Sequence, residues 1–201
     1  MGTLVLLRHG QSVWNKENRF TGFTDVELSA QGEAEARAAG EKLRNLPLDH
    51  VFTSTLKRAY ATAELALDAA GQSSVAQTRH DDLRERDYGD LTGLNKDDMR
   101  EKYGEEQVHI WRRSYDVRPP GGESLQDVVA RVQPYYRAHI EPLLRSGKNV
   151  LVAAHGNTLR AMLIILGLHT PETINNAEIA TGDPLFFDVS ETAVTQKASA
   201  A

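Results

Sequence analysis

The sequence predicts an α/β fold, a three-layer sandwich in which a mostly parallel central sheet is flanked by helices. Short, nearly continuous apolar runs bounded by polar residues are typical of strands that are covered on both faces. Four such runs occur, at Thr3–Leu7, Asp49–Thr53, Asn149–Ala154 and Leu185–Val189. Segments with helical spacing lie between them, and the alternation of strands with helices favours right-handed crossovers onto both faces of one sheet.

Helix-start signals follow the first two strands. Ser29 can cap a helix that runs to about Leu46, and Leu56–Ala70 has the same apolar spacing. Ser124 opens a capping box, Ser-Leu-Gln-Asp, ahead of a further helix that Pro134 should kink or shorten. These helices would supply the crossovers between strands.

Two further predictions concern the middle and the C-terminal part of the chain. Asn157–Leu166 fits a helix closed by Gly167, and Thr170-Pro171 predicts the start of another helix. Residues 81–123 are charged, rich in arginine and only weakly periodic. We expect this segment to be a lid-like insertion on the sheet rather than a separate domain.

The composition is that of a globular protein. The chain has 201 residues, of which 40% are hydrophobic and 25% charged, which suffices for one domain with a sizeable core. We expect that domain over residues 1–190 and a flexible tail over 191–201. The sequence contains no cysteine, which excludes disulfides, thiolate nucleophiles and iron–sulfur clusters.

The net charge restricts the class of partner. Lys and Arg total 23 against 28 Asp and Glu, giving −5, so the overall field does not attract nucleic acid or anionic lipid. Any bound anion must therefore be held by a local basic site. The apolar run near the N-terminus is too short for a signal peptide, and no run approaches the ~20 apolar residues of a membrane span. We expect a cytoplasmic protein without nucleic-acid or membrane partners.

Two of the predicted strands end in a histidine followed by a glycine. Residues 8–10 read Arg-His-Gly and residues 155–157 read His-Gly-Asn. The carboxyl ends of parallel strands are where open α/β sheets bind ligands, and the glycines leave room for a close approach. Either histidine alone is better explained as a strand-end residue bonded to a loop. The matching pair instead favours His9 and His155 facing one crevice.

Several arginines could make that crevice electropositive. Arg58 lies in the first turn of a predicted helix, where helix N-termini favour anions and arginine can bind phosphate through two donors. With Arg8 and the doublet Arg112-Arg113 it would form a cluster suited to a small polyanion. Each arginine alone also fits a solvated surface position. The sequence has no His-x-His or His-Glu-x-x-His pattern, and we expect no metal site.

This combination of groups suits phosphoryl transfer. An imidazole can attack phosphorus where arginines neutralise the phosphate oxygens. The reaction also needs a group that donates and accepts a proton, and Glu85 is the candidate. A surface ion-pair run explains the segment around Glu85 equally well.

A long resemblance adds to these inferences. Residues 6–15, Leu-Leu-Arg-His-Gly-Gln-Ser-Val-Trp-Asn, resemble the signature of the histidine phosphatase superfamily. Residues 20–29, Phe-Thr-Gly-Phe-Thr-Asp-Val-Glu-Leu-Ser, are similar to its cofactor-dependent phosphoglycerate mutase branch. The likeness continues through residues 53–59, 85–89, 94–96, 111–113 and 155–160, so that it covers nearly the whole chain up to about Val189.

The resemblance implies an enzyme that interconverts 2- and 3-phosphoglycerate in glycolysis and gluconeogenesis. His9 would be the nucleophile, primed by the cofactor 2,3-bisphosphoglycerate, His155 would stabilise the transferring phosphoryl group, and Glu85 would move the proton. The residues implied to hold the transferring group are Arg8, Asn15, Arg58, Gly156 and Asn157. Those implied to hold the carboxylate and the second phosphate are Thr21, Gly22, Tyr88, Lys96, Arg112 and Arg113.

The sequence departs from the longer mutases in two places. Only Gly121-Gly122 separates Pro119-Pro120 from Glu123-Ser124, where long forms carry an extra loop, and the C-terminal tail is short. Both features indicate a short form. The oligomeric state of the long forms therefore does not transfer, and a homo-oligomer is one open alternative.

Two other functions compete with the mutase. A phosphatase of the same superfamily would pass the phosphoryl group to water, and a binding module would only dock phosphorylated partners. The second cluster, Tyr88 and Lys96 with Arg112-Arg113, favours the mutase because a simple monoesterase has less need to fix a second anion. A nucleophile beside a proton donor argues against mere binding.

Overall fold

In the computed structural model, which describes residues 1–198, six strands form one sheet. The strands are β1 (Gly2–Arg8), β2 (His50–Thr53), β3 (Gln77–Arg79), β4 (Val150–Ala154), β5 (Pro184–Val189) and β6 (Val194–Lys197). Their order across the sheet is β3-β2-β4-β1-β5-β6. The strands β3, β2, β4 and β1 pair in parallel. β5 pairs antiparallel with β1, and β6 pairs antiparallel with β5. The prediction of a mostly parallel central sheet is confirmed.

Helices cover both faces of this sheet. They are α1 (Val13–Lys16), α2 (Ala30–Leu43), α3 (Lys57–Ala70), α4 (Lys96–Tyr103), α5 (Glu105–Arg113), α6 (Leu125–Tyr135), α7 (Glu141–Arg145) and α8 (Gly156–Ile165). Alternate residues of β1 point to opposite faces, so that Val5 joins the core beneath α2 and α3 and Leu4 joins the core beneath α6 and α8. This arrangement is the predicted three-layer sandwich.

The predicted caps form as expected. The Ser29 hydroxyl accepts from the amide of Gly32 at 3.1 Å. Ser124 and Asp127 make a complete capping box. The Ser124 hydroxyl accepts from the Asp127 amide at 3.1 Å, and the Asp127 carboxylate accepts from the Ser124 amide at 2.9 Å. The α6 helix ends one residue after Pro134 and continues as a wider π-turn into α7, so the predicted shortening is observed.

The segment 81–123 forms a small second core together with Phe20, which lies outside the segment. Its helices α4 and α5 pack around five buried side chains, Phe20, Leu91, Met99, Val108 and Trp111. Two short 3-10 turns, Asp81–Leu83 and Gly89–Leu91, connect these helices to the sheet. The lid role of this segment stays a prediction.

Two sequence predictions need correction. Residues 194–197 lie in the expected flexible tail, yet they form β6, where the Lys197 ammonium bonds the Asp188 carboxylate of β5 at 3.0 Å. Residues 199–201 of that tail lie outside the described residues. The helix expected at Thr170-Pro171 is only a turn followed by a 3-10 turn at Ile174–Asn176. The Thr173 hydroxyl accepts from the Thr170 amide at 2.9 Å, as at a helix start, but the segment ends after the 3-10 turn.

A close backbone approach fixes the segment that follows β1. A Cβ atom on Gly32 of α2 would lie 2.0 Å from the carbonyl oxygen of Gln11, and one on Gly10 would lie 2.1 Å from the carbonyl oxygen of Gly32. The two glycines therefore allow the end of β1 to rest directly on α2.

Replacing Gly32 with alanine is expected to destabilise the fold. The added methyl group must push the backbone of Gln11 away, which should lower the free energy of unfolding by about 1–3 kcal/mol despite the better helix propensity of alanine. Urea unfolding followed by circular dichroism would measure the change. The exposed neighbour Gln31→Ala is the control and should shift stability by less than about 0.5 kcal/mol. An unchanged midpoint for Gly32→Ala would contradict the packing argument.

Candidate active site

A cavity of about 160 Å³ opens where β1 and β4 end. It is lined by the following predicted site residues: Arg8, His9, Asn15, Thr21, Gly22, Arg58, Glu85, Tyr88, Lys96, Arg112, Arg113, Gly156 and Asn157. Sequence reasoning missed three further lining residues: Arg19, Phe20 and Arg160. His155 was predicted to face the same crevice; it is completely buried and is not among the lining residues, but its ring lies next to that of His9.

His9 is held as a neutral imidazole with a defined tautomer. Its backbone amide donates to the Ala154 carbonyl at 3.0 Å, which fixes the turn after β1 on the neighbouring β4. Its Nδ1 lies 2.7 Å from the Gly10 carbonyl oxygen. Because a carbonyl only accepts, Nδ1 carries the proton and Nε2 keeps a free electron pair. The ring is 3% exposed.

Its surroundings keep His9 unprotonated. Burial lowers the pKa of His9 well below 6.5, and the positive charges of Arg58 and Arg8 lower it further. A neutral imidazole with a free Nε2 is a competent nucleophile near neutral pH.

His155 lies directly beside this nucleophile. The two ring centroids are 5.1 Å apart and the ring planes are inclined by 61°. His155 is completely buried, and its Nε2 lies 2.7 Å from the Ser54 hydroxyl. Burial, and after it the charge of Arg58, lowers the pKa of His155 well below 6.5. The structure thus brings the two predicted histidines together although they come from distant parts of the chain.

Arg58 is buried rather than solvated. It lies in the first turn of α3 and is 1% exposed. Its guanidinium donates to the carbonyls of Gly22 at 2.8 Å and Thr24 at 2.9 Å, which orients it toward the cavity. Burial lowers the pKa of Arg58 to about 10, so it stays positively charged at neutral pH.

Arg8 has a free donor in the same region. Its NH1 donates to the Ile179 carbonyl at 2.9 Å. Within residues 1–198, its buried Nε has no hydrogen-bond partner. A buried N–H group left unpaired beside a cavity is costly unless a ligand accepts from it.

Glu85 belongs to the loop between the two 3-10 turns, and its carboxylate is held by backbone donors at the start of α8. Its Oε1 accepts from the amide of Arg86 at 2.7 Å and from the amide of Asn157 at 3.3 Å. The Asn157 side-chain amide donates to the Tyr88 hydroxyl at 3.2 Å. These bonds place a carboxylate and a phenol on the cavity wall, so the surface ion-pair explanation of Glu85 does not hold.

A second group of cations lines the same cavity. Burial lowers the pKa of Lys96, the first residue of α4, and the nearby charge of Arg112 lowers it further. Burial raises the pKa of Tyr88, but Arg86 and the other surrounding cations bring it below its ordinary value. Among the described residues, seven cationic side chains line the cavity against one carboxylate: Arg8, Arg19, Arg58, Lys96, Arg112, Arg113 and Arg160. Such a cavity suits a ligand with several negative charges.

Comparison with known proteins places this geometry in a family. Residues 4–184 match the family model of the histidine phosphatase superfamily (branch 1). The chain belongs to the histidine phosphatase superfamily. The resemblance stated from residues 6–15 is therefore confirmed.

Two relatives that are more than half identical to this chain share one name with each other. The 2,3-bisphosphoglycerate-dependent phosphoglycerate mutase of Mesorhizobium japonicum is 57% identical over 190 residues, which cover 94% of this chain and 92% of that protein. The protein of that name from Rhizobium meliloti is 56% identical, with coverage of 94% and 90%. A solved structure, mycobacterial glucosyl-3-phosphoglycerate phosphatase in complex with VO3, matches with a TM-score of 0.87 and 25% identity over 98% of both chains.

No helix in the described part of the chain is long and apolar enough to cross a bilayer. In the same part, no three or more His, Asp or Glu side chains are grouped so that they could hold a metal ion.

The two buried histidines should make stability depend on pH. The unfolded chain protonates each imidazole near 6.5, whereas the folded chain resists protonation well below that value. The unfolded state then binds more protons, so stability is full above pH 6.5 and declines as the pH falls toward the folded-state pKa. Between pH 7.5 and 5.5 each histidine should lower the free energy of unfolding by about 1–1.5 kcal/mol.

Urea unfolding at the two pH values would measure this loss. A His155→Gln variant, which stays neutral throughout, is the control and should lose less stability than the wild type over the same interval. Equal stability of the wild type at pH 7.5 and 5.5 would contradict the neutral state assigned to both rings.

Proposed function

We propose that this enzyme interconverts 2- and 3-phosphoglycerate through a phosphohistidine at His9, primed by 2,3-bisphosphoglycerate, as part of glycolysis and gluconeogenesis. The observation that carries the proposal is the charge layout of the cavity. The charges of Arg8 and Arg58 act on the nucleophile, Lys96 and Arg112-Arg113 form a second cationic group, and Glu85 provides a carboxylate on the wall. The names of the relatives with 56–57% identity agree with this proposal.

The first chemical step forms a bond between phosphorus and His9. The free electron pair on Nε2 attacks a phosphoryl group of the primer, the ester P–O bond breaks, and the departing oxygen takes a proton from Glu85. Arg8 and Arg58 stabilise the charge that spreads over the transferring oxygens, and they need little rearrangement because carbonyls already hold them. We assign Asn15 and the Gly156-Asn157 backbone to the same phosphoryl group.

The second step returns the group to a substrate. The free hydroxyl of a bound monophosphoglycerate attacks the phosphorus, the N–P bond breaks, and Glu85 accepts the hydroxyl proton. The resulting bisphosphorylated intermediate must turn around before its other phosphate reaches His9. The two groups of cations that line the cavity would stabilise either orientation. The residues we assign to the carboxylate and the distal phosphate are Thr21, Gly22, Tyr88, Lys96, Arg112 and Arg113.

Water must be kept away from the phosphohistidine, since hydrolysis would waste the primer. Residues 81–123 contribute Glu85, Tyr88, Lys96 and Arg112-Arg113 to the cavity wall. We therefore assign this segment as the lid, with closure driven by the attraction of its cations to the bound anion.

The second candidate is a phosphatase, which the solved structure with a TM-score of 0.87 favours because that protein is a phosphatase. Both activities use the same histidines and differ in the acceptor of the phosphoryl group. A second cationic group that can hold a carboxylate and a phosphate favours the mutase.

One assay separates the candidates. Purified protein is incubated with 3-phosphoglycerate, with and without trace 2,3-bisphosphoglycerate, and both 2-phosphoglycerate and free phosphate are measured. The mutase predicts isomerisation stimulated by the primer with little free phosphate. Release of phosphate without dependence on the primer would support the phosphatase instead. If neither 2-phosphoglycerate nor free phosphate forms, the protein is a binding module. The His9→Ala protein, purified in parallel, is the blank for contaminating enzymes.

A further inference from the structure

Ser54 is a buried hydroxyl that the mechanism above does not use. It follows β2 directly and is completely buried. Its Oγ lies 2.7 Å from Nε2 of His155 and accepts a hydrogen bond from the backbone amide of Leu56 at 3.2 Å. Ser54 therefore joins the end of β2 to the second histidine.

The direction of the Ser54–His155 bond follows from counting protons. The amide of Leu56 has a proton to donate, so Oγ acts as the acceptor in that bond. The hydroxyl proton of Ser54 then needs an acceptor of its own, and the one that the described structure offers is Nε2 of His155. If Nε2 carried the proton instead, the hydroxyl proton would be buried without a partner, which is unfavourable.

We propose that Ser54 is a positioning residue that fixes His155 in the tautomer with its proton on Nδ1. Within residues 1–198, Nδ1 of His155 is buried and has no hydrogen-bond partner. The free N–H belongs to a ring whose centroid lies 5.1 Å from that of His9, the residue that we propose carries the phosphoryl group. The kinetic part of this inference rests on the proposed function, whereas the tautomer does not.

The two neutral imidazoles then have opposite roles. The Gly10 carbonyl takes the Nδ1 proton of His9 and leaves Nε2 free to attack, while the Ser54 hydroxyl occupies Nε2 of His155 and leaves Nδ1–H free to donate. A neutral donor can stabilise the charge on the transferring oxygens without adding another cation next to the nucleophile.

Nitrogen NMR tests the tautomer without any substrate. The protein is labelled with ¹⁵N-histidine, and the His155 signals are assigned by their loss in a His155→Gln variant. At pH 7.5 we expect a protonated Nδ1 and an unprotonated Nε2. A protonated Nε2 would overturn the inference. Because this measurement involves no phosphoglycerate, its failure is distinguishable from a failure of the mutase assay.

Two variants of Ser54 test its effect on the reaction. Ser54→Ala should lower the single-turnover rate of phosphoryl transfer from 2,3-bisphosphoglycerate to the protein by roughly 10- to 100-fold, since small losses of alignment have effects of this size. The KM for 3-phosphoglycerate and the circular dichroism spectrum should change little, and the His155 nitrogens should lose their single tautomer. Ser54→Thr keeps the hydroxyl and should recover most of the rate. A wild-type rate and tautomer in Ser54→Ala would overturn the role of Ser54.

Discussion

Replacing His9 with alanine is expected to abolish both isomerisation and the acid-labile labelling of the protein by a phosphoryl donor. The free Nε2 of His9 is the atom to which we assign the phosphoryl group, whereas Nε2 of the neighbouring His155 is taken up by the Ser54 hydroxyl. Loss of a covalent nucleophile should reduce kcat by about 10⁴-fold or more. Steady-state assays and incubation with ³²P-labelled 2,3-bisphosphoglycerate would measure the two effects.

The matched control for this variant is His109→Asn. His109 lies on the exposed side of α5, away from the cavity, so labelling and turnover should stay at wild-type levels. Acid-labile label that persists in His9→Ala would place the nucleophile on another side chain. Circular dichroism of both variants would show whether the fold is kept.

Replacing Glu85 with glutamine is expected to reduce kcat by about 10²- to 10⁴-fold, the usual effect of removing a general acid and base. The amide oxygen of glutamine can still accept from the amides of Arg86 and Asn157, so the local structure should remain. The chemistry changes because an amide cannot take up the hydroxyl proton. The KM for 3-phosphoglycerate should change much less than kcat.

An exposed glutamate of α5 provides the comparison. Glu106→Gln makes the same chemical change outside the cavity and should leave kcat unaltered. A kcat for Glu85→Gln within tenfold of the wild type would show that another group moves the proton. The time course of His9 labelling would distinguish a lost proton donor from lost binding of the primer. Labelling that is slow but reaches its full extent would indicate the lost proton donor.

The fold could be predicted where apolar residues form continuous runs. The four predicted strands are β1, β2, β4 and β5, which lie in the sheet with buried neighbours. β3 and β6 were missed because they are the edge strands and read Gln-Thr-Arg and Val-Thr-Gln-Lys. Edge strands face solvent, so a polar run gives no signal that separates them from a loop.

The candidate site could be predicted where backbone landmarks fix a side chain. His9 and His155 follow strand ends and Arg58 lies in the first turn of a helix, and each of these positions is visible in the sequence. Arg160 was missed although it lies one helical turn after Gly156, a spacing that puts both on one face of α8. Arg19 depends on the path of the loop after α1, which no spacing rule gives.

The position of β4 has a consequence for synthesis of the protein on the ribosome. β4 lies between β1 and β2, so these two strands are not hydrogen-bonded to each other. A nascent chain that ends before residue 150 has β1, which precedes His9, and β2, which precedes Arg58, without their common neighbour. Turnover therefore has to await translation of β4 and of His155 after it, and products that terminate before β4 are expected to be inert.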